Sequence, residues 1–541
     1  MHIEKLPPNL FLAAHLSPCV ISTFSLTISA GAVMKKILHV LFSRMFILII
    51  LILLEAAFLY GLIKYVPAAW LTNIEAVLRI FSLIVVLLII SYSRHLSSDM
   101  MWIVVILVAP VGGILVWLFL EVMDRFDSKI YKDIHKETDE AKTYFKQDPV
   151  VYEAALKDTD LSGQYRYLHD SAGFAVYPNT GFQYYGLGEL GWKAMLDDLR
   201  QAKEFIFLEY FIIEPGTMWD AIHAILKDKA ADGVVVRVLY DDMGSLNTLP
   251  GNYWKSLKSE GIDAVAFNRI HPFINGIMNH RDHRKIMVID GKVAYSGGIN
   301  LADEYINVKK IHGHWKDNVI RITGEAVWSY SVLFLTNWNA CTHEDSDYLR
   351  WKRDAVTGEA DGYIVPYGET PLDTQLTGQD VYLNILNHAK KYCYIFTPYL
   401  IIDTDMMNAL ILAAQRGVDV RILTPGVPDK KIIWRITRSY YPNLLNGGVK
   451  IYEYTPGFDH AKVFVSDDEV ATVGTINLDY RSLYLHFENG TALFKSRQIA
   501  SIRDDFLEAQ KVSHPMTEED LQSGFLRTFF YLVIRIFAPM M

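Results

Sequence analysis

The feature that most constrains this chain is a long-range repeat of one short motif. The motif H-x-K-x4-D occurs as His283, Lys285 and Asp290, and it returns 177 residues later with the same internal spacing. Five positions have such a partner: His283 and His460, Lys285 and Lys462, Asp290 and Asp467, Gly297 and Gly474, Asn300 and Asn477. One copy of so short a motif carries little weight, whereas two copies in register predict two copies of one structural unit.

The spacing inside the motif indicates a strand with its polar residues on one face. In the stretches HRKIMVID and HAKVFVSD, histidine and lysine are two positions apart, so on a strand both side chains project from the same side. Two such units facing each other would bring two imidazoles, two ammonium groups and two side-chain amides into one pocket. That set suits a phosphodiester, because cations and amides bind its oxygens while one imidazole attacks phosphorus and the other protonates the leaving alkoxide.

The sequences around both motifs resemble the phospholipase D superfamily and, more narrowly, the bacterial cardiolipin synthases. The resemblance rests on NHRDHRKIMVIDG followed by GGIN, and on HAKVFVSDD followed by GTINLDYRSLYLHFEN; it covers roughly residues 77 to 541. The run NLDYRS is its most discriminating part. One departure is Ser466, where an aliphatic residue such as Ile289 is usual. We expect this serine to affect strand packing rather than chemistry.

The resemblance implies a phosphatidyl transfer by double displacement. His283 would attack the phosphodiester of one phosphatidylglycerol while protonated His460 supplies a proton to the departing glycerol. A hydroxyl of a second phosphatidylglycerol would then attack the phosphatidyl-histidine to give cardiolipin. The groups expected to neutralise the phosphate are Lys285, Lys462, Asn300 and Asn477. No cofactor is expected, because one diester replaces another and no P-loop pattern occurs in the chain.

Each imidazole needs a partner for its second ring nitrogen, which fixes the tautomer and the ring plane. Glu488 and Asp317 occupy comparable places, each followed by an asparagine and opening a strand-like run. Counted from the motif histidine of its own repeat, Glu488 is 28 residues downstream and Asp317 is 34. We predict that both orient the histidines; the superfamily pattern supports Glu488. The aspartates of the catalytic motif, Asp290 and Asp467, lie at the far end of the strand and are expected to brace its turn.

Other functions are compatible with the same motifs. A phospholipase D hydrolase would let water attack the intermediate, and a related phosphatidyltransferase would use another donor or another acceptor alcohol. A silent membrane-binding scaffold is a further alternative, which two intact motifs argue against. The histidine pairs His280–His283 and His312–His314 suggest zinc only weakly, since no cysteine accompanies them, and we expect no metal.

Composition favours lipid over nucleic acid as the partner. The chain is 51% hydrophobic with a formal charge of −9, whereas proteins that bind a phosphate backbone usually carry a net basic face. The cysteines, Cys19, Cys341 and Cys393, are scattered and indicate neither a disulfide framework nor a thiolate metal site. The expected partners are phosphatidylglycerol and anionic membrane lipid; no protein partner can be identified.

Three apolar runs predict a membrane anchor: Met45–Ile63, Val77–Tyr92 and Met101–Leu120. The first is long enough for a bilayer core of ~30 Å, although it contains Glu55. We expect a multi-pass protein of the bacterial cell membrane with cytoplasmic catalytic units, but the basic residues leave the orientation and the number of crossings open. The sequence from Met34 onward resembles the start of a natural protein, so our hypothesis is that the first 33 residues are an upstream extension or a poorly ordered tail.

The strand-like and helical stretches repeat with the motifs. The strands Lys203–Ile213 and Val234–Asp241 correspond to Lys391–Ile402 and Arg416–Pro425, and the helical stretch Met218–Lys229 separates the first pair. This alternation predicts a largely parallel sheet covered by helices. The predicted fold class is therefore α/β, with two pseudo-symmetric phospholipase D-like units that share one active site and follow N-terminal transmembrane helices.

These patterns divide the chain into seven segments. They are an N-terminal extension (1–44), a transmembrane region (45–122), a linker (123–149), a first phospholipase D-like catalytic unit (150–345), a linker (346–378), a second phospholipase D-like catalytic unit (379–512) and a C-terminal membrane-interface segment (513–541). The last segment ends in FLRTFFYLVIRIFAPMM. This run predicts a helix that lies on anionic lipid or docks on the enzyme's own core.

Overall fold

The chain divides into two structural units in the computed structural model. The residues described are 44–92, 96–125, 129–158, 160–269, 280–343, 347–355, 358–522, 524, 529 and 533–540. Residues 44–92 and 102–118 form an N-terminal unit, and residues 96–101 and those from 119 onward form a catalytic unit. The predicted extension up to residue 43 lies outside the described residues.

Four helices cover the predicted apolar runs: α1 (Arg44–Tyr65), α2 (Ala68–Tyr92), α3 (Leu96–Val108) and α4 (Pro110–Arg125). Within the described part of the chain, α2 is the one helix whose length and composition would allow it to cross a membrane. The third predicted run is divided between α3 and α4, because Pro110 has no amide hydrogen with which to continue the helix. Three complete crossings are therefore not supported by these helices.

Glu55 in α1 is explained by a contact within the N-terminal unit. Its buried carboxylate accepts a hydrogen bond from the backbone N–H of Gly112 at 2.6 Å. Gly112 lies in the first turn of α4, where backbone N–H groups have no partner in their own helix. The carboxylate therefore satisfies a polar group that would otherwise be unpaired in an apolar environment.

The catalytic unit is built on two mixed sheets. Its strands are β1 (Tyr177–Pro178), β2 (Phe182–Tyr185), β3 (Phe205–Tyr210), β4 (Val235–Asp241), β5 (Asp263–Phe267), β6 (Lys285–Ile289), β7 (Val293–Gly297), β8 (His314–Lys316), β9 (Val319–Thr323), β10 (Tyr363–Glu369), β11 (Tyr392–Phe396), β12 (Asp419–Pro425), β13 (Lys450–Tyr454), β14 (Gly457–Asp459), β15 (Val463–Ser466), β16 (Val470–Gly474), β17 (Glu488–Phe494) and β18 (Ser513–Pro515). The first sheet has the order β2-β9-β7-β6-β3-β4-β5, and the second has the order β1-β10-β17-β16-β15-β11-β12-β13-β18.

The prediction of a largely parallel sheet is wrong. The groups β3-β4-β5 and β11-β12-β13 are parallel, as the β-α-β rhythm predicted. The motif strands β6 and β15, however, run antiparallel to both of their neighbours. Each motif strand continues through a short turn into the next strand, and a connection that short can join only antiparallel strands.

The sequence repeat is also a structural repeat. Six strands of the first sheet, β9-β7-β6-β3-β4-β5, have the same order as β17-β16-β15-β11-β12-β13 in the second. The remaining helices are α5 (Lys129–Lys142), α6 (Pro149–Leu156), α7 (Ser162–Arg166), α8 (Gly188–Gln201), α9 (Thr217–Ala231), α10 (Tyr253–Ser259), α11 (Val327–Thr342), α12 (Thr377–His388), α13 (Thr404–Gln415), α14 (Lys431–Asn446), α15 (Tyr480–Tyr484) and α16 (Gln498–Lys511). The matching strand orders confirm the prediction of two α/β repeats.

Both predicted linkers contain parts of the folded core, which corrects the boundaries drawn from the sequence. Within 346–378, β10 pairs along its whole length with β17 and so belongs to the second sheet. Within 123–149, helix α5 contributes the fully buried Ile134 to the hydrophobic core. The charge-rich composition of these stretches reflects their exposed faces, while apolar residues such as Ile134, Phe145 and Val365 are buried.

The C-terminal segment is partly docked on the enzyme. β18 adds to the edge of the second sheet by pairing with β13. Ile534 and Ala538 pack against the core of that half, and the Arg535 guanidinium lies 3.9 Å from the ring of Tyr440. Ile536 remains 37% exposed. The docked alternative therefore holds for these residues, and a role at the lipid surface stays a prediction for the exposed side chains.

Both motif aspartates brace the start of a neighbouring strand. The Asp290 carboxylate accepts hydrogen bonds from the backbone N–H groups of residues 203–205 at 2.7 to 2.9 Å. Asp467 does the same for residues 390–392 at 2.7 to 2.9 Å. Their φ angles are +52° and +58°, in the left-handed region that aspartate tolerates better than most residues. These contacts give both motif aspartates a structural role; the inclusion of Asp290 and Asp467 among the catalytic groups, made from the motif, stays a prediction.

We expect Asp290→Ala to lower the free energy of unfolding by about 3 kcal/mol or more, because three N–H groups lose a charged acceptor and alanine is strained at positive φ. Asp290→Asn keeps an oxygen acceptor and tolerates the backbone, so its loss should be smaller. Urea unfolding of the detergent-solubilised protein measures both, with the exposed Asp504→Ala as control. A wild-type unfolding curve combined with lost turnover would instead make Asp290 catalytic.

Candidate active site

The motif histidines and lysines lie at matching places in the two repeats. Lys285 is the first residue of β6 and Lys462 directly precedes β15, and His283 and His460 each lie two residues before their lysine. All four are buried, with at most 7% of their surface exposed. The Lys285 ammonium donates to the backbone carbonyl of His283 at 2.8 Å, and Lys462 makes the same contact with His460. Each lysine therefore lies beside its own histidine, as the spacing of the motif predicted.

Each imidazole is held by a carboxylate from the opposite repeat. His283 Nδ1 lies 2.8 Å from a carboxylate oxygen of Glu488, and His460 Nδ1 lies 2.7 Å from one of Asp317. Both carboxylates named from the sequence contact a motif histidine, and in each case it is the histidine of the opposite repeat, which the sequence did not indicate. Because a carboxylate can only accept, each Nδ1 carries the ring hydrogen and each Nε2 holds the lone pair.

Backbone pairing between the repeats fixes this crossed arrangement. β14 pairs in parallel with β8, and the His460 N–H donates to the Lys316 carbonyl at 2.7 Å. At the equivalent place, the His283 N–H donates to the Phe487 carbonyl at 2.9 Å. The orienting carboxylate is the next residue after each of these carbonyls. Each carboxylate reaches the histidine of the opposite repeat because the residue before it accepts a hydrogen bond from the backbone of that histidine.

Burial and nearby positive charges favour the neutral forms of the four groups. Burial, followed by the charges of Lys285 and Lys462, lowers the pKa of His283 well below its usual value, and His460 adds to this effect. Burial and Lys462 lower the pKa of His460 to about 4, against the opposing Asp317. Burial also lowers the pKa of Lys285 to about 7 and that of Lys462 to about 8. A bound phosphodiester would supply negative charge and raise all four pKa values.

The two motif asparagines are buried and bonded to their own repeat. Asn300 accepts from the Ile212 N–H at 3.1 Å and donates to the Tyr305 hydroxyl at 2.7 Å. Asn477 donates to the Ser482 hydroxyl at 3.0 Å. These contacts hold the loops beside the histidines in place. The role of both asparagines as phosphate ligands stays a prediction.

One further pair of aspartates, which the motif does not include, occupies equivalent positions in the two repeats. Asp282 and Asp459 directly precede the motif histidines and are themselves 177 residues apart. Each is fully buried and accepts from the backbone N–H two residues on, that of Arg284 at 3.2 Å and that of Ala461 at 3.4 Å. Burial raises the pKa of both carboxyls. The constant displacement was the signal that could have revealed them.

Comparison with known proteins matches both repeats to one family. The family model described as cardiolipin synthase, phospholipase D-like domain, matches residues 195–325 and 382–509. A cardiolipin synthase of Halalkalibacterium halodurans is 32% identical over 481 residues, which span 87% of this chain and 95% of that relative. An uncharacterized protein of Streptococcus mutans is 44% identical over 460 residues, spanning 84% and 99%.

A solved structure supports the same fold. The phosphatidylserine synthase of Haemophilus influenzae superimposes with a TM-score of 0.52 at 13% identity, covering 68% of this chain and 97% of the other. At that identity the likeness shows the α/β architecture alone.

The crossed pairing can be tested through stability, without any need for activity. A double-mutant cycle of Glu488→Gln with His283→Gln should show a coupling of about 0.5 kcal/mol or more, because these side chains are in contact. The same Glu488→Gln combined with His460→Gln should be additive within about 0.5 kcal/mol. Urea unfolding of the three single variants, the two double variants and the wild type measures both terms. Coupling of Glu488 to His460 alone would contradict the crossed arrangement.

Proposed function

The chain belongs to the cardiolipin synthase family of phospholipase D-like enzymes, and on that premise we propose that its paired repeats transfer a phosphatidyl group between two phosphatidylglycerol molecules. The products are cardiolipin and free glycerol. The observation that carries the proposal is the pair of buried imidazoles, each held by a carboxylate of the other repeat. Such a pair supplies a nucleophile and an acid to one phosphodiester.

In the first step, His283 Nε2 forms a bond to phosphorus as the bond to the glycerol oxygen breaks. Glu488 accepts a hydrogen bond from Nδ1–H of His283, which leaves the lone pair of the ring on Nε2. The same carboxylate stabilises the positive charge that develops on the ring. His460 donates a proton to the glycerol oxygen. The enzyme now holds a phosphatidyl group on His283, and His460 is neutral.

In the second step, a glycerol hydroxyl of another phosphatidylglycerol attacks the same phosphorus. His460 removes the hydroxyl proton, and the bond between phosphorus and His283 breaks. Cardiolipin leaves with both diesters intact, and the two histidines return to their starting protonation states. Because the reaction exchanges one diester for another, it needs no nucleotide energy source.

The charge of the substrate prepares the acid for this chemistry. In the free site His460 is largely neutral at pH 7, because burial and Lys462 lower its pKa to about 4. Binding of an anionic phosphodiester between Lys285 and Lys462 raises the pKa of His460 and favours its protonation. The acid is therefore charged when the leaving group is in place. In this proposal the side-chain amides of Asn300 and Asn477 are further, uncharged hydrogen-bond donors to the phosphate.

The lipid substrate places the enzyme at a membrane. Helix α2 is long enough to cross a bilayer and exposes apolar side chains such as Phe81, Leu83 and Leu87. We place the protein in the bacterial cell membrane, as a multi-pass protein whose catalytic unit faces the cytoplasm. Anionic lipid around the anchor then supplies phosphatidylglycerol without release into water.

We expect the purified protein to convert labelled phosphatidylglycerol into cardiolipin and glycerol in equal amounts, with no added nucleotide or other lipid. Mass spectrometry of the products follows the reaction. The variants His283→Ala and His460→Ala should lose at least about 10³-fold in rate, because neither step proceeds without its nucleophile or proton donor. Phosphatidic acid as the dominant product would make the protein a hydrolase, and unreacted phosphatidylglycerol would indicate another donor or acceptor.

The lowered lysine pKa values predict a pH dependence. The kcat/KM for phosphatidylglycerol already declines above the pKa of His460, about 4 in the free enzyme, and it should fall more steeply through about pH 7 to 8, where Lys285 and then Lys462 lose their protons. The fall in kcat should come at higher pH, because the bound phosphate raises both pKa values. Initial rates in mixed micelles at several substrate concentrations separate the two profiles. Identical alkaline limbs for kcat and kcat/KM would contradict this assignment.

A further inference from the structure

A third imidazole, which the proposed transfer does not use, lies beside the His283–Glu488 pair. His486 is 8% exposed, and its ring centre is 5.7 Å from that of His283. Its Nδ1 lies 3.7 Å from a Glu488 oxygen, and neither of its ring nitrogens makes a hydrogen bond within the described part of the chain. A buried imidazole with both nitrogens unpaired is costly, so the site holds unused ligand capacity.

The three side chains have the geometry of a metal site. One ligand atom from each of His283, His486 and Glu488 lies within 4.8 Å of the other two. Two ligands of a tetrahedral Zn²⁺, each at about 2.0 to 2.1 Å, are about 3.3 Å apart. The same Glu488 oxygen, Oε1, lies 2.9 Å from His283 Nδ1 and 3.7 Å from His486 Nδ1, on either side of that value. Shifts of a few tenths of an ångström would bring both contacts of Glu488 to the value for a tetrahedral ion.

We propose that His283, His486 and Glu488 bind Zn²⁺ or a similar divalent transition metal ion, and that the bound ion inhibits the enzyme. Two imidazoles and one carboxylate are a ligand set that zinc accepts, with one position left for water or a phosphate oxygen. The inhibition rests on the proposed role of His283, whereas the binding does not. The histidine pairs that the sequence suggested for zinc are different ones, because His283 and His486 are 203 residues apart and come from different repeats.

The mode of inhibition follows from the tautomer of His283. In the metal-free site the ring hydrogen is on Nδ1, which faces Glu488, and the lone pair is on Nε2. A metal ion that takes Nδ1 uses the lone pair of that nitrogen, so the ring hydrogen moves to Nε2. No proton is lost, but Nε2 can no longer attack phosphorus. The positive charges of Lys285 and Lys462 oppose a cation here, so we expect binding that chelators readily reverse.

The test uses the full-length, chelator-treated protein in detergent, titrated with Co²⁺ for its visible absorption and with Zn²⁺ for inhibition of phosphatidylglycerol turnover. Each rate is divided by the metal-free rate of the same variant. The wild type should bind with a tetrahedral Co²⁺ spectrum. His486→Gln and His486→Asn should weaken both Co²⁺ binding and Zn²⁺ inhibition by about tenfold or more, through loss of one ligand.

The control is His223→Gln, which removes the histidine from another, half-buried histidine–glutamate pair, His223 and Glu260, whose side chains are 2.8 Å apart. It should behave like the wild type in both measurements. Unchanged binding in both His486 variants, or an equal loss in His223→Gln, would overturn the site. Because the Co²⁺ spectrum does not depend on turnover, a protein that binds the metal but makes no cardiolipin would refute the proposed function and leave the metal site standing.

Discussion

The structure depends on a reciprocal exchange of carboxylates between the repeats. His283 is held by Glu488 of the second repeat, and His460 is held by Asp317 of the first. Neither repeat therefore contains an oriented imidazole of its own. A change that separates the repeats would leave each carboxylate without its histidine, and in the buried interior that costs more than the loss of one hydrogen bond. The contacts that orient the two histidines are therefore also contacts that join the two halves.

The exchange also explains why so much charge is buried at one place. The two lysines, the two orienting carboxylates and the aspartates before each histidine are all almost fully removed from solvent. Burying ions is unfavourable unless they are paired, and burial lowers the pKa of Lys285 to about 7 and that of Lys462 to about 8 although nearby carboxylates act in the opposite direction. An anionic phosphodiester bound between the lysines would add an interaction that favours their charged forms, so protonation of the lysines and binding of the substrate support each other.

The sequence allowed the repeat, its strands and most of the site to be predicted, because a constant displacement of 177 residues ties each position to its partner. It did not allow the crossed pairing to be predicted. Spacing along the chain measures distance within one repeat, whereas the pairing depends on how β8 and β14 meet between repeats. The strand β10 was missed because Pro366 argues against a central strand. In the structure β1 pairs only with Tyr363 and Ile364, so Pro366 lies in the part of β10 that has β17 as its one neighbouring strand.

The two repeats differ in the groups that support the carboxylates beside the imidazoles. In the second half, Thr475 donates its hydroxyl hydrogen to Glu488, the carboxylate that holds His283. The position that corresponds to Thr475 in the first half is Gly298, and the Asp317 carboxylate occupies the place where a side chain on that glycine would lie. Asp317 therefore excludes from its own repeat the hydroxyl group that supports Glu488. A two-step transfer needs one ring that attacks and one that donates and recovers a proton, and this difference acts directly on the two rings that would divide those tasks.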